Sequence, residues 1–190
     1  MLCYSTSFKH NIILLCSIVF FTHIQCYPQS KEASKWYFGD YAGVNFTQFG
    51  AFPLLNSAMY QGEGCASIAS SEGELLFYTD GMTIWNQNHE IMENGTGLMG
   101  NNSSSQSGII VPHPGDTSLY YVFTVPIDNS SIGLRYSVID MKMAEGAGAV
   151  TNIKNVYLIG PTEEKVTAVK HGNNQDIWVL THTWESNDFY

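Results

Sequence analysis

Leu75-Leu-Phe-Tyr-Thr-Asp-Gly-Met-Thr-Ile-Trp85 is the stretch whose reading decides the fold class. Two runs of β-type residues, Leu75–Thr79 and Met82–Trp85, flank Asp80-Gly81. Asp-Gly between such runs is a strong hairpin signal, because both residues tolerate positive φ. Asp80 is accordingly read as a turn residue rather than as a metal or sugar contact.

Working outward, the same texture recurs. Ser107–Val111 leads through a Pro/Gly-rich turn into Leu119–Val125, and Leu134–Ile139 and Val156–Ile159 follow. Val166–Val169, a His-Gly-Asn-Asn turn and Asp176–Thr181 complete the series. Almost no 3.6-residue periodicity interrupts it, so the chain reads as all-β. Three units share one layout: a short apolar strand, a polar turn containing glycine, then an aromatic-rich strand ending in Thr. They are Cys65–Thr79, Ser107–Thr124 and Val166–Thr181. A spacing of about 40–50 residues with several strands per unit is the pattern of propeller blades. The expectation is an incomplete β-propeller of about three to four blades, with a β-sandwich as the alternative. Asp188-Phe-Tyr190 reads as the start of a further strand, which predicts a fragment or truncated product with an open sheet edge.

The N-terminal segment reads differently. Lys9 and His10 precede Ile12-Ile-Leu-Leu-Cys-Ser-Ile-Val-Phe-Phe21, and polar residues follow at once. This run is shorter than the about 20 residues that span a bilayer, and fits the apolar core of a signal peptide. Residues 1–26 are therefore read as the signal peptide, 27–35 as a polar linker, and 36–190 as the ordered domain. Acylation of Cys26 and a buried N-terminal helix are the alternatives. Cys3, Cys16 and Cys26 leave with the signal, so Cys65 remains alone and no internal disulfide forms. Cys65 sits in an apolar run and reads as a buried structural thiol.

The formal net charge is −9. Lys9 is the one charged residue before Tyr27, so its removal leaves 7 basic and 17 acidic residues. No basic cluster exists for nucleic acid, and attraction to anionic lipid is disfavoured. Aromatic residues are 13% and charged residues 13%, which excludes a disordered chain and fits a packed β-protein.

Several ordered motifs now carry a resemblance. They are Trp36-Tyr-Phe-Gly39, Gly64-Cys-Ala-Ser-Ile68, Leu75–Gly81, Ile84-Trp-Asn86 and Asn94-Gly-Thr-Gly-Leu98. Ser105-Gln-Ser107, Leu134-Arg-Tyr-Ser137 and Glu164–His171 with Trp178 continue the series. Over about residues 36–190 the chain resembles the N-terminal propeller region of large surface proteins exported by the bacterial type IX secretion system. The resemblance implies a secreted or surface-anchored, adhesive, multidomain protein with immunoglobulin-like repeats and a C-terminal sorting domain. It brings no catalytic residues. Without the sorting domain, the expected destination is the periplasm.

Candidate chemistry is sparse. His89, His113, His171 and His182 lack a metal-binding spacing, and no calcium-loop pattern occurs, so no metal or other cofactor is expected. Glu72/Glu74 and Glu163/Glu164 are acid pairs, but strand neighbours point to opposite faces, which suits a solvated surface better than a glycosidase cleft. No nucleophile elbow or phosphate loop appears. Trp85, Tyr120, Tyr136 and Trp178 read as core, and Trp184, followed by a polar run, as the solvent-facing aromatic. The long polar loop Asn94–Ser107 is the other candidate, through Asn94, Asn101 and Asn102. Asn-x-Ser/Thr sites at Asn45, Asn94, Asn101, Asn102 and Asn129 matter in a eukaryotic host. The function expected is a non-enzymatic module binding a glycan or a surface protein. The alternatives are part of a propeller hydrolase or lyase, or a structural spacer.

Overall fold

The computed structural model describes residues 30–127 and 130–190. The expected signal peptide, Cys26, the start of the 27–35 linker and Asn129 all lie outside the described residues. Of the linker stretch, residues 30–35 are described. The Glu32 carbonyl accepts from Ala69 N–H and the Ser34 carbonyl from Phe46 N–H, at 2.8 and 2.7 Å.

The all-β class is what the chain adopts. Its strands are β1 (Lys35–Phe38), β2 (Ala42–Thr47), β3 (Gly50–Leu54), β4 (Ala66–Ala69), β5 (Leu75–Thr79), β6 (Thr83–Asn86) and β7 (Ile91–Thr96). They continue as β8 (Gly108–Pro112), β9 (Leu119–Thr124), β10 (Leu134–Asp140), β11 (Ala149–Val150), β12 (Val156–Ile159), β13 (Thr162–Lys170) and β14 (Ile177–Thr183). Among the described residues, no helix is long and apolar enough to cross a membrane.

β1–β3 form an antiparallel sheet, and β13–β14 a hairpin. The other nine strands make one sheet, ordered β4-β5-β6-β7-β11-β10-β9-β8 with β12 beside β10. Its end strands β4 and β8 touch, so the sheet is nearly closed and barrel-like. Hydrogen bonding does not divide these strands into separate blades. A parallel pairing of Ala149 with Glu93 fuses two antiparallel meanders into one sheet.

The three sequence units prove to be hairpins. Thr79 pairs with Ala66, Thr124 with Gly108 and Thr181 with Val166. In the first two the terminal Thr faces the first residue of the preceding strand, in the third it faces the fifth residue of β13, after a register shift, and all three are buried. Strand alternation then sends side chains to both faces. On β8 and β9, Ile110 and Val122 enter one core and Ile109 and Phe123 another. The first core holds Ile68, Phe77, Ile84, Met92, Val122 and Ile139, inside the nine-stranded sheet. The second lies between β1–β3 and β4–β6, where Tyr78 stacks between Tyr37 and Trp85 at 4.6 and 5.5 Å. His89 leans on this stack, with Nδ1 3.1 Å from the Tyr78 hydroxyl. The third core, Val125, Leu134 and Val166, joins β8–β10 to β13–β14.

The Asp80-Gly81 turn differs in detail from a two-residue hairpin. Thr79 pairs with Ile84, and only Gly81, at φ +84°, is left-handed. The Asp80 side chain supplies the missing backbone: its Oδ1 accepts from Met82 N–H at 2.8 Å and Thr83 N–H at 2.6 Å. Asp80 thus serves as a turn residue, and a buried one.

Candidate functional site

The hairpins β4–β5, β8–β9 and β13–β14 share a direction in one respect: the connections entering β4, β8 and β13 meet at one end. Gly64 N–H donates to the Ser104 carbonyl at 3.1 Å. The Ser103 hydroxyl donates to Glu63 Oε1 at 3.4 Å. Ser105 N–H donates to Glu164 Oε2 at 2.9 Å, Lys165 Nζ reaches the Ser105 hydroxyl, and Val166 N–H donates to Gln106 Oε1. Segments 61–64 and 100–106, with residues 163–165 near the start of β13, therefore form one polar face, the loop face.

Close packing of backbone fixes this face. A Cβ on Gly64 would lie 2.7 Å from both Gln106 Cα and the Ser104 carbonyl oxygen. One on Gly81 would lie 2.6 Å from the Ser107 carbonyl oxygen. Gln61 is buried beneath the loops and donates from Nε2 to the Gly64 carbonyl at 2.8 Å. Glu63, Asn102, Ser103 and Ser105 remain exposed above it.

A cleft of about 360 Å³ lies alongside, between β1, β4 and β8, lined by Trp36–Phe38, Cys65–Ser67 and Gly108–Ile110. Its polar groups are already engaged. The Ser67 hydroxyl donates to the Lys35 carbonyl at 2.9 Å, and the Cys65 thiol points at the Tyr37 carbonyl. Burial pushes the Cys65 thiol up, the Gly39 backbone opposes this, and the nearby Asp80 carboxylate adds to the rise. Cys65 is thus a packed thiol poorly suited to nucleophilic attack.

The four residues expected to contact a ligand have different fates. Asn94 is a cross-link: its Nδ2 donates to the Val150 carbonyl at 3.0 Å, and its own oxygens accept from Lys154 Nζ. Asn101 is half-buried and its Oδ1 accepts from Ser103 N–H, bracing the loop. Asn102 is exposed on the loop face. Trp184 is half-buried, and its backbone N–H donates to the Pro161 carbonyl. Since Thr183 pairs with Thr162, Trp184 leaves β14 at the start of β13, next to segment 163–165. The aromatic read as solvent-facing is thus partly covered. Trp178, read as core, is 57% exposed, because it lies on the face of the two-stranded β13–β14 sheet opposite the one that Val166 and Val179 pack into the third core.

Glu63, Ser103, Ser105, Glu164 and Lys165 were not singled out together by the sequence, since contacts such as Ser105 to Glu164 cross 59 residues. Glu163 and Glu164 do diverge as strand alternation requires: Glu163 lies 4.0 Å from His182 Nδ1, whereas Glu164 turns to Ser105. Among the described residues, no group of three or more His, Cys, Asp or Glu side chains could hold a metal ion. No family model matches the chain, and neither a curated protein nor a solved structure is found similar to it.

Proposed function

We propose that this chain is an exported, non-enzymatic binding module that recognises a glycan or protein at the cell exterior through its polar loop face. The carrying observation is the convergence of segments 61–64, 100–106 and 163–165 at one end of a rigid β-scaffold. Exposed carboxylate, amide and hydroxyl groups on braced loops suit ligands rich in hydroxyls or backbone amides.

The finer architecture in this reading is a partial propeller. It draws support from three hairpins, each ending its sequence unit on a buried Thr, and from cores lying between successive sheets. Further support comes from the contacts β1 to β4, β4 to β8 and β8 to β13, the order in which the innermost strands of successive blades would meet. The place of the protein in this proposal is the type IX family of exported surface proteins, on the motifs quoted above and the signal-like N-terminus.

Screening the purified chain against immobilised polysaccharides and surface proteins tests the reading. Binding to at least one is expected, weakened about tenfold in a Glu63→Ala/Asn102→Ala variant that loses two hydrogen-bonding side chains. No binding, or binding indifferent to these substitutions, contradicts it.

A further inference from the structure

Two sheet faces stand outside the three cores. On β1–β3 the register aligns Trp36 with Val44 and Pro53, Phe38 with Ala42, and Phe46 with Ala51, all on the face opposite buried Tyr37. Trp36, Phe38 and Phe46 are 51%, 37% and 43% exposed, and the Trp36 and Phe46 rings meet edge-on at 5.0 Å. On β13–β14 the register aligns Val169 with Trp178 and Thr167 with Leu180, opposite buried Val166. Val169, Trp178 and Leu180 are 56%, 57% and 36% exposed, and Phe189 extends the face by packing on His182 at 4.7 Å. Neither set of aligned residues contains a lysine, an arginine or a carboxylate.

We propose that two copies of this chain close on each other, the outer β1–β3 face of each packing on the outer β13–β14 face of its partner. The area supports this occupant. Half-exposed side chains of this size present about 100 Å² each, so the two faces together offer roughly 700 Å² per copy. A standard protein interface takes about 800 Å² per partner. The two faces belong to separate sheets, β1–β3 and β13–β14, so each copy carries both halves of the contact. A single junction would leave one apolar face free on each copy and would grow into an open chain. Two junctions related by a two-fold axis cover all four faces. The aligned side chains carry no charge, which spares two acidic molecules from bringing like charges into contact there. This inference is independent of the loop-face reading, because it uses neither segment 61–64 nor 100–106.

Light scattering on the purified chain, combined with charge-swap variants, tests it. The chain is expected at twice its single-chain mass. Trp36→Lys alone and Trp178→Glu alone are each expected to weaken the dimer by at least about tenfold. Mixed together, the two variants are expected to recover it, since one junction is then intact and the other pairs Lys with Glu. A monomeric parent chain, growth beyond two copies, a single variant that dimerises like the parent, or a mixture no better than its components would each overturn the proposal. Circular dichroism checks that each variant is folded. Should either fail to fold, Phe46→Lys with Val169→Glu is the second pair and is read in the same way.

Discussion

Asp80 shows how much one side chain decides. It is 5% exposed, and burial raises its carboxyl above the ordinary aspartate value even though Thr83 and Met82 N–H groups pull the other way. A carboxyl raised on folding binds its proton more tightly in the folded chain. The stability it contributes is therefore full below the ordinary carboxylate range and is lost as pH rises through the folded value. Asp80→Asn keeps an oxygen acceptor for the turn and removes the buried charge. Chemical denaturation across the acidic range should show Asp80→Asn gaining stability relative to the parent as pH rises. Asp80→Ala, which leaves Met82 and Thr83 N–H groups unpaired, should cost about 1–3 kcal/mol at acidic pH and less as pH rises, because it also removes the buried carboxyl. Asp80-Gly81 was legible in the sequence as a turn, but the Asx geometry was not. It depends on Thr79 pairing with Ile84, a register that no dipeptide encodes.

At the scale of elements, the Thr that ends each unit is the legible feature. Spacing marks Thr79, Thr124 and Thr181 as equivalent, and the ladder pairs them with Ala66, Gly108 and Val166, at or next to the residue that opens each unit. Their hydroxyls, however, are not equivalent. Thr79 Oγ1 donates to the Thr83 carbonyl and accepts from Gly81 N–H, at 2.6 and 2.9 Å. Thr181 Oγ1 donates to the Lys165 carbonyl at 2.8 Å. Thr124 Oγ1 is buried without a hydrogen-bond partner. Thr79→Val should then lower stability by about 1–3 kcal/mol, while Thr124→Val should be neutral or raise it by up to about 1 kcal/mol. Thermal melts of the two variants compare them directly, and equal losses would contradict the assignment. Strands β2 and β3 were not legible. Ala42–Thr47 and Gly50–Leu54 mix polar, Gly and Pro residues, and β3 is mostly exposed. The exposure of Trp178 was hidden for the opposite reason, since a strand on a terminal sheet carries the same apolar alternation as one in a core.

For the whole molecule, the sequence conveys the β class and the repeat, whereas the loop face arises only when three distant segments meet. Gly64 and Gly81 permit that meeting by letting backbone approach backbone around Ser104–Ser107. The loop Asn94–Ser107, legible as long and polar, is thereby divided in role. Its first part is pinned by Lys154 and Asn155, and its second part presents Asn102, Ser103 and Ser105. The proposed recognition surface is this second part together with segments 61–64 and 163–165. Hydrogen–deuterium exchange of the chain, alone and saturated with the polysaccharide or protein that binds best in the screen, tests that proposal most directly. Protection gained in 61–64, 100–106 and 163–165, with β1–β3, residues 166–170 and β14 unchanged, is the result predicted. Protection gained in those strands, with the three segments of the loop face unchanged, would contradict it.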